Sequence, residues 1–133
     1  MTRATGTFEV KLTPQSKDEV SGASTLSRLS IDKRFLGDLD ATSVGEMLAA
    51  GTSVPGSAAY VAIERVSGAL HGRHGTFVLK HDGTMRRGVA SLTLGVVPDS
   101  GTGDLTGLDG VMQIIIEGRQ HSYIFDHTLD AGG

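Results

Sequence analysis

Nineteen glycines, spread almost evenly between short apolar segments rich in β-branched residues, restrict this chain to many strands joined by tight turns. Glycine weakens a helix relative to alanine but suits a turn, so a chain punctuated this often builds strands. At 133 residues it has the length of one domain, and no linker divides 1–133. Its 38% hydrophobic and 20% charged content places it among globular chains rather than disordered ones. The expected fold is all-β, a small closed antiparallel β-barrel of about eight or nine strands, since closure removes the unpaired edges of an open sheet.

Phe8, Val10 and Leu12 alternate with Thr7, Glu9 and Lys11, the period-two signature of a strand with one buried face. A polar stretch from residue 15 to 25 follows. A second strand then sets Leu29, Ile31 and Phe35 on one face and Ser30, Asp32 and Arg34 on the other. Residues 43–50 are ambiguous, because Ser43 and Glu46 have the spacing of a capping box. Gly45 inside the segment and Gly51 after it leave barely two turns, so a strand is expected there too. Further strands are read at 58–66, 68–71, 76–81, 89–97, 111–117 and 121–129. Turns are placed at Gly72-Arg73-His74-Gly75, Asp82-Gly83 and Glu117-Gly118-Arg119-Gln120. The Asp82-Gly83 pair is the strongest hairpin signal, since both central residues of a type I′ turn need positive φ.

Composition excludes several classes of function. With 12 basic against 15 acidic residues, four Phe, two Tyr and no Trp, neither a phosphate-tracking surface nor a base-stacking platform can be assembled, so no nucleic acid is expected as a partner. The absence of cysteine removes disulfides, thiolate nucleophiles and Cys-ligated metals. The longest apolar run, Ile114-Ile115-Ile116, is far too short to cross a bilayer, and the first residues lack the apolar core of a signal peptide. A soluble, cytoplasmic protein without a membrane role is expected.

Four segments carry a family resemblance: Leu29-Ser30-Ile31-Asp32-Lys33-Arg34-Phe35, Tyr60-Val61-Ala62-Ile63-Glu64-Arg65-Val66, His71-Gly72-Arg73-His74-Gly75-Thr76-Phe77-Val78-Leu79, and Val97-Pro98-Asp99-Ser100-Gly101-Thr102-Gly103-Asp104-Leu105. Together they resemble the bacterial domain-of-unknown-function family 3224, over roughly residues 4 to 129. The resemblance implies an allene-oxide-cyclase-like barrel, lipocalin-like in enclosing a cavity, whose protomers associate through the barrel walls. It implies no activity and supplies no catalytic residues, because fold does not determine function.

Glu64 is the foremost candidate for chemistry. It shares a strand face with Ala58, Tyr60, Ala62 and Val66. Small residues beside a tyrosine and a carboxylate suit a cavity wall, in which desolvation would raise the carboxyl's pKa towards that of a general base. The competing reading is an exposed Glu64 paired with a neighbouring cation. Tyr60 and His81 are its candidate catalytic partners, and Arg34, Met47, Met112 and Tyr123 are candidate ligand-binding residues. The enzymatic version is a proton-abstracting isomerase, cyclase or lyase; the others are a carrier of a small, largely apolar molecule and a filled structural barrel.

The remaining motifs yield less. Ser100-Gly101-Thr102-Gly103-Asp104-Leu105-Thr106-Gly107 has neither dinucleotide nor P-loop spacing and reads as a wide turn. The five histidines show no HxH or HExxH arrangement, so no metal or other cofactor is expected. No Gly-x-Ser-x-Gly elbow supports acyl transfer. Finally, Ala59, Val61 and Ile63, with the apolar run at 114–116, place apolar groups on a face that a lone barrel would expose to water. A homo-oligomer, dimer or tetramer, is the expected explanation.

Overall fold

A computed structural model describes residues 1–129. Eight strands follow one another around a closed antiparallel barrel: β1 (Thr2–Glu19), β2 (Thr25–Gly37), β3 (Leu39–Gly51), β4 (Ala58–Leu70), β5 (Arg73–Arg86), β6 (Val89–Val96), β7 (Asp109–Glu117) and β8 (Gln120–Thr128). β1 pairs with both β2 and β8, which closes the cylinder. The alternation read from the sequence sets the faces. Phe8 and Phe35 are buried, as are Ala62, Glu64 and Val66 on β4, while Val61 and Ile63 on the alternate positions face outwards. Residues 43–50 are strand, within β3.

Three boundaries differ from expectation, each because pairing between strands outweighs local punctuation. The polar stretch after residue 14 continues as β1 through a bulge between Pro14 and Ser16, and the chain reverses only after Glu19. The segments 58–66 and 68–71 are one strand, since Gly68 keeps its place in the ladder opposite Ala41 and Gly75. Asp82-Gly83 is not a turn: it lies inside β5, with Asp82 opposite Val61 and Gly83 opposite Tyr60.

The β5–β6 reversal is at Arg87-Gly88, where both residues have positive φ (47° and 89°), as a type I′ hairpin requires. The β4–β5 reversal is similar and tighter than expected, with His71 and Gly72 alone between the strands. The Gly118-Arg119 turn between β7 and β8 falls where it was expected.

Strand length divides the barrel into two ends. β1 to β5 have 13 to 18 residues, whereas β6 to β8 have 8 or 9. At one end the lumen is filled by Phe35, Phe77, Tyr123, Phe125, Leu39 and Leu70, all 1% exposed or less. Phe77 stacks on Phe125 and Phe35 meets Tyr123 edge-on. The loop after β6 seals this end. Its one 3-10 turn (Gly103–Leu105) buries Leu105, with Leu108 beside it.

Several of the loop's amides turn inwards to the protein itself: Thr102 donates to the Thr76 carbonyl and Leu105 to that of Thr102. The glycine-rich segment is therefore a plug rather than a phosphate cradle. No helix among the described residues is long and apolar enough to cross a membrane.

Candidate functional site

At the other end the longer strands stand proud of the barrel and leave the lumen open. A pocket of about 520 Å³ opens there, walled by β2 to β6. Met47 and Ala49 of β3, Tyr60 of β4, Met85 of β5 and Leu92 of β6 line it, with Thr25 and Ser27 of β2. Each stands on the inward parity of its strand, continuous with the buried residues deeper in the barrel. No charged side chain lines the pocket.

Tyr60 fits against the wall because its cross-strand partner is Gly83. A Cβ at position 83 would lie 2.3 Å from the Tyr60 ring, closer than carbon atoms can approach. The glycine read as a turn signal is therefore a seat for an aromatic ring. Gly45 stands in the same relation to Glu64: it lies directly opposite, and a Cβ there would come within 2.8 Å of the glutamate Cβ.

Beneath Tyr60 a line of polar side chains runs into the barrel. The Tyr60 hydroxyl lies 3.4 Å from His81 Nδ1. His81 Nε2 lies 3.4 Å from Glu64 Oε2, and Lys33 Nζ lies 2.9 Å from that same oxygen. Lys33 donates its hydrogen bond to Oε1, at 3.3 Å. The contacts at Oε2 fall outside hydrogen-bond geometry, so the attraction there is ionic. The carboxylate is fully buried and the Lys33 side chain is 7% exposed. The ammonium also stands over the rings of Phe8 and Phe35, at 5.2 and 5.7 Å, a favourable setting for a desolvated cation. Ser43, opposite Lys33 on β3, is buried beside the pair.

This geometry reverses one expectation. Burial pushes the Glu64 carboxyl up, but His81 and the Lys33 charge outweigh it and hold the group below the ordinary carboxylate range. Glu64 is thus an ionised anchor at neutral pH. The phenol of Tyr60 moves the other way, raised by burial and then by the charge of Glu64, so its hydroxyl stays protonated.

The structure brings Glu64, Tyr60 and His81 together and places Met47 in the pocket. The other candidates lie elsewhere. Arg34 is on the outer face, paired with Asp40 and donating to the carbonyls of Phe35 and Ala41. Met112 packs in the core. Tyr123 is in the filled end, where its hydroxyl accepts from the Leu39 amide at 2.9 Å and faces the Leu36 and Leu39 carbonyls.

Lys33 was missed by sequence reasoning, although its position signals its role: it takes the inward parity of β2 between Ile31 and Phe35. Among the described residues no three His, Asp or Glu side chains gather at metal-binding separation.

The comparisons with known proteins agree on kinship. The family described as "Protein of unknown function (DUF3224)" matches residues 4–127. A crystal structure of a protein of unknown function from that family, from Shewanella oneidensis MR-1, is 53% identical, covers 98% of each chain and superposes with a TM-score of 0.93. No curated protein matches the chain. A match over nearly all of the sequence, with a solved relative of the same architecture, places the chain in one family: it belongs to DUF3224.

Proposed function

We propose that the barrel binds a small, uncharged, largely apolar molecule at its open end. The observation that carries this reading is the pocket itself: about 520 Å³, within the range of small-molecule sites, walled by Met, Ala and Leu with one tyrosine as the fixed polar feature. Methionines adapt to ligand shape, and the alanines leave the volume free. Native mass spectrometry of the protein as expressed, compared with Ala49→Phe, tests it. A bound small molecule in the parent that is lost in the filled variant is the expected result. A retained adduct in the folded variant would put the ligand elsewhere.

The line Tyr60–His81–Glu64 supports a second reading, an isomerase-like or cyclase-like proton-transfer site. In it Tyr60 is the group that touches substrate and Glu64 acts through His81, since the carboxylate itself is fully buried. Its test is loss of turnover on an activated ketone in Glu64→Gln, with binding of the ketone retained.

The outer wall supports a homo-oligomer. Val44, Leu48, Val61 and Ile63 are each at least half exposed, and Leu48 sits directly opposite Val61. Arg28 with Glu46 on one flank and Lys80 with Asp82 on the other border the groove. Such a surface offers charges of both signs to a second copy related by a two-fold axis. Sedimentation velocity should report a dimer or higher species that Val61→Glu dissociates.

A further inference from the structure

We propose that the open-end pocket selects a neutral apolar ligand bearing a hydrogen-bond donor, an alcohol before a ketone, because Tyr60 turns an acceptor lone pair towards it. This rests on the ligand-binding reading above and specifies the chemical class of its ligand.

The orientation of the Tyr60 hydroxyl is set from inside the barrel. Lys33 Nζ, 2.9 and 3.3 Å from the two carboxylate oxygens of Glu64, fixes that group against the barrel wall. Its Oε2 faces His81 Nε2 at 3.4 Å. A proton on Nε2 is attracted by the carboxylate, whereas a bare Nε2 would set a lone pair against negative charge. An imidazole with one proton therefore carries it on Nε2 here and leaves Nδ1 as the acceptor.

The Tyr60 oxygen faces Nδ1 at 3.4 Å. A phenol has one proton to donate, and here it goes to Nδ1. Oxygen lone pairs are what the hydroxyl has left to offer the pocket. A ligand O–H or N–H completes that arrangement, while a ketone oxygen would meet lone pair with lone pair. Thr25 and Ser27 can rotate to donate or accept, so they do not discriminate. A carboxylate finds no cation in the lining, because Lys33 is committed to Glu64.

Menthol and menthone share one ten-carbon skeleton and differ in presenting a hydroxyl or a carbonyl. Titrating each into the folded protein, with the Met47 and Met85 methyl resonances as reporters, separates the outcomes. The wild type is expected to prefer menthol by about fivefold, the worth of one neutral hydrogen bond. Tyr60→Phe should bring the two ligands within about twofold of each other. His81→Leu, which frees the Tyr60 proton for the pocket, should let menthone equal or pass menthol.

Menthone binding the wild type as tightly as menthol, or a menthol preference that survives in Tyr60→Phe, overturns the proposal while leaving the pocket a binding site. If neither ligand shifts the methionine methyls, the pocket reading fails and this inference with it. Should Tyr60→Phe not fold, the wild-type ratio and the His81→Leu reversal still decide.

Discussion

The two ends of the lumen are built on the same strands, with the same alternation of inward and outward side chains, yet one is packed solid and the other stands open. On β5 the inward series runs Phe77, Leu79, His81, Gly83, Met85, passing from fully buried aromatic to partly exposed thioether. On β4 it runs Val66, Glu64, Ala62, Tyr60, Ala58. In both, exposure rises towards the open end, and Glu64 of the charged pair lies on the buried side of that change. The filled end supplies stability through apolar burial. The open end trades some of that burial for a cavity, which is the usual relation between a scaffold and its site.

This contrast is open to direct test. The largest effect is expected for Phe125→Ala, which empties the filled end and should lower unfolding free energy by about 3–5 kcal/mol in denaturant titration. A loss below about 1 kcal/mol would mean that the two ends do not differ.

Next comes Glu64→Gln, which strands the buried Lys33 charge and should remove about 3 kcal/mol. It should also change the acid limb. A carboxyl whose folded pKa is depressed contributes stability that is fully present above its unfolded pKa, near about 4.3. That stability is lost as pH falls through the lower folded value. The wild type should therefore lose stability below about pH 4.3 more steeply than Glu64→Gln, and parallel curves would sink the idea.

A smaller effect, about 1–3 kcal/mol, is expected for Gly83→Ala, whose new methyl displaces the Tyr60 ring and should weaken ligand binding alongside stability. The smallest, under about 1 kcal/mol, belongs to Met85→Ala at the partly exposed rim, where binding rather than melting should report the change.

Much of this arrangement was legible in the strand period. The parity of Tyr60, Ala62 and Glu64 put all three on one face, which burial then shows to be the inner one, and the glycines at 45 and 51 argued correctly for a strand in β3. What the period cannot convey is register. Gly83 looks like a turn until Tyr60, 23 residues earlier in sequence, is known to lie opposite it.

Lys33 looks like one more surface lysine until Glu64 is known to face it across the barrel interior. The direction of the Glu64 shift followed from that same missing partner, since burial alone would have raised it. Arg34 and Tyr123 were misplaced as pocket residues for a related reason: a tyrosine or an arginine on a strand face serves equally as a staple between strands, and only the fold says which end it occupies.

The wall is fastened unevenly, which bears on how the proposed ligand would enter. Around the cylinder, β3 and β4 share thirteen residue pairs, from Leu39↔Leu70 to Gly51↔Ala58, whereas β6 and β7 are joined by Gly95↔Val111 alone. A tube fastened unevenly does not swell evenly. Its circumference yields at the weakest join, so thermal breathing should concentrate between β6 and β7, and amide protons of β6 should exchange faster than those of β4. Because β6 also contributes Leu92 to the pocket wall, the same hinge line that makes the cylinder compliant would, for the ligand proposed above, set the largest size admitted without unzipping a long ladder.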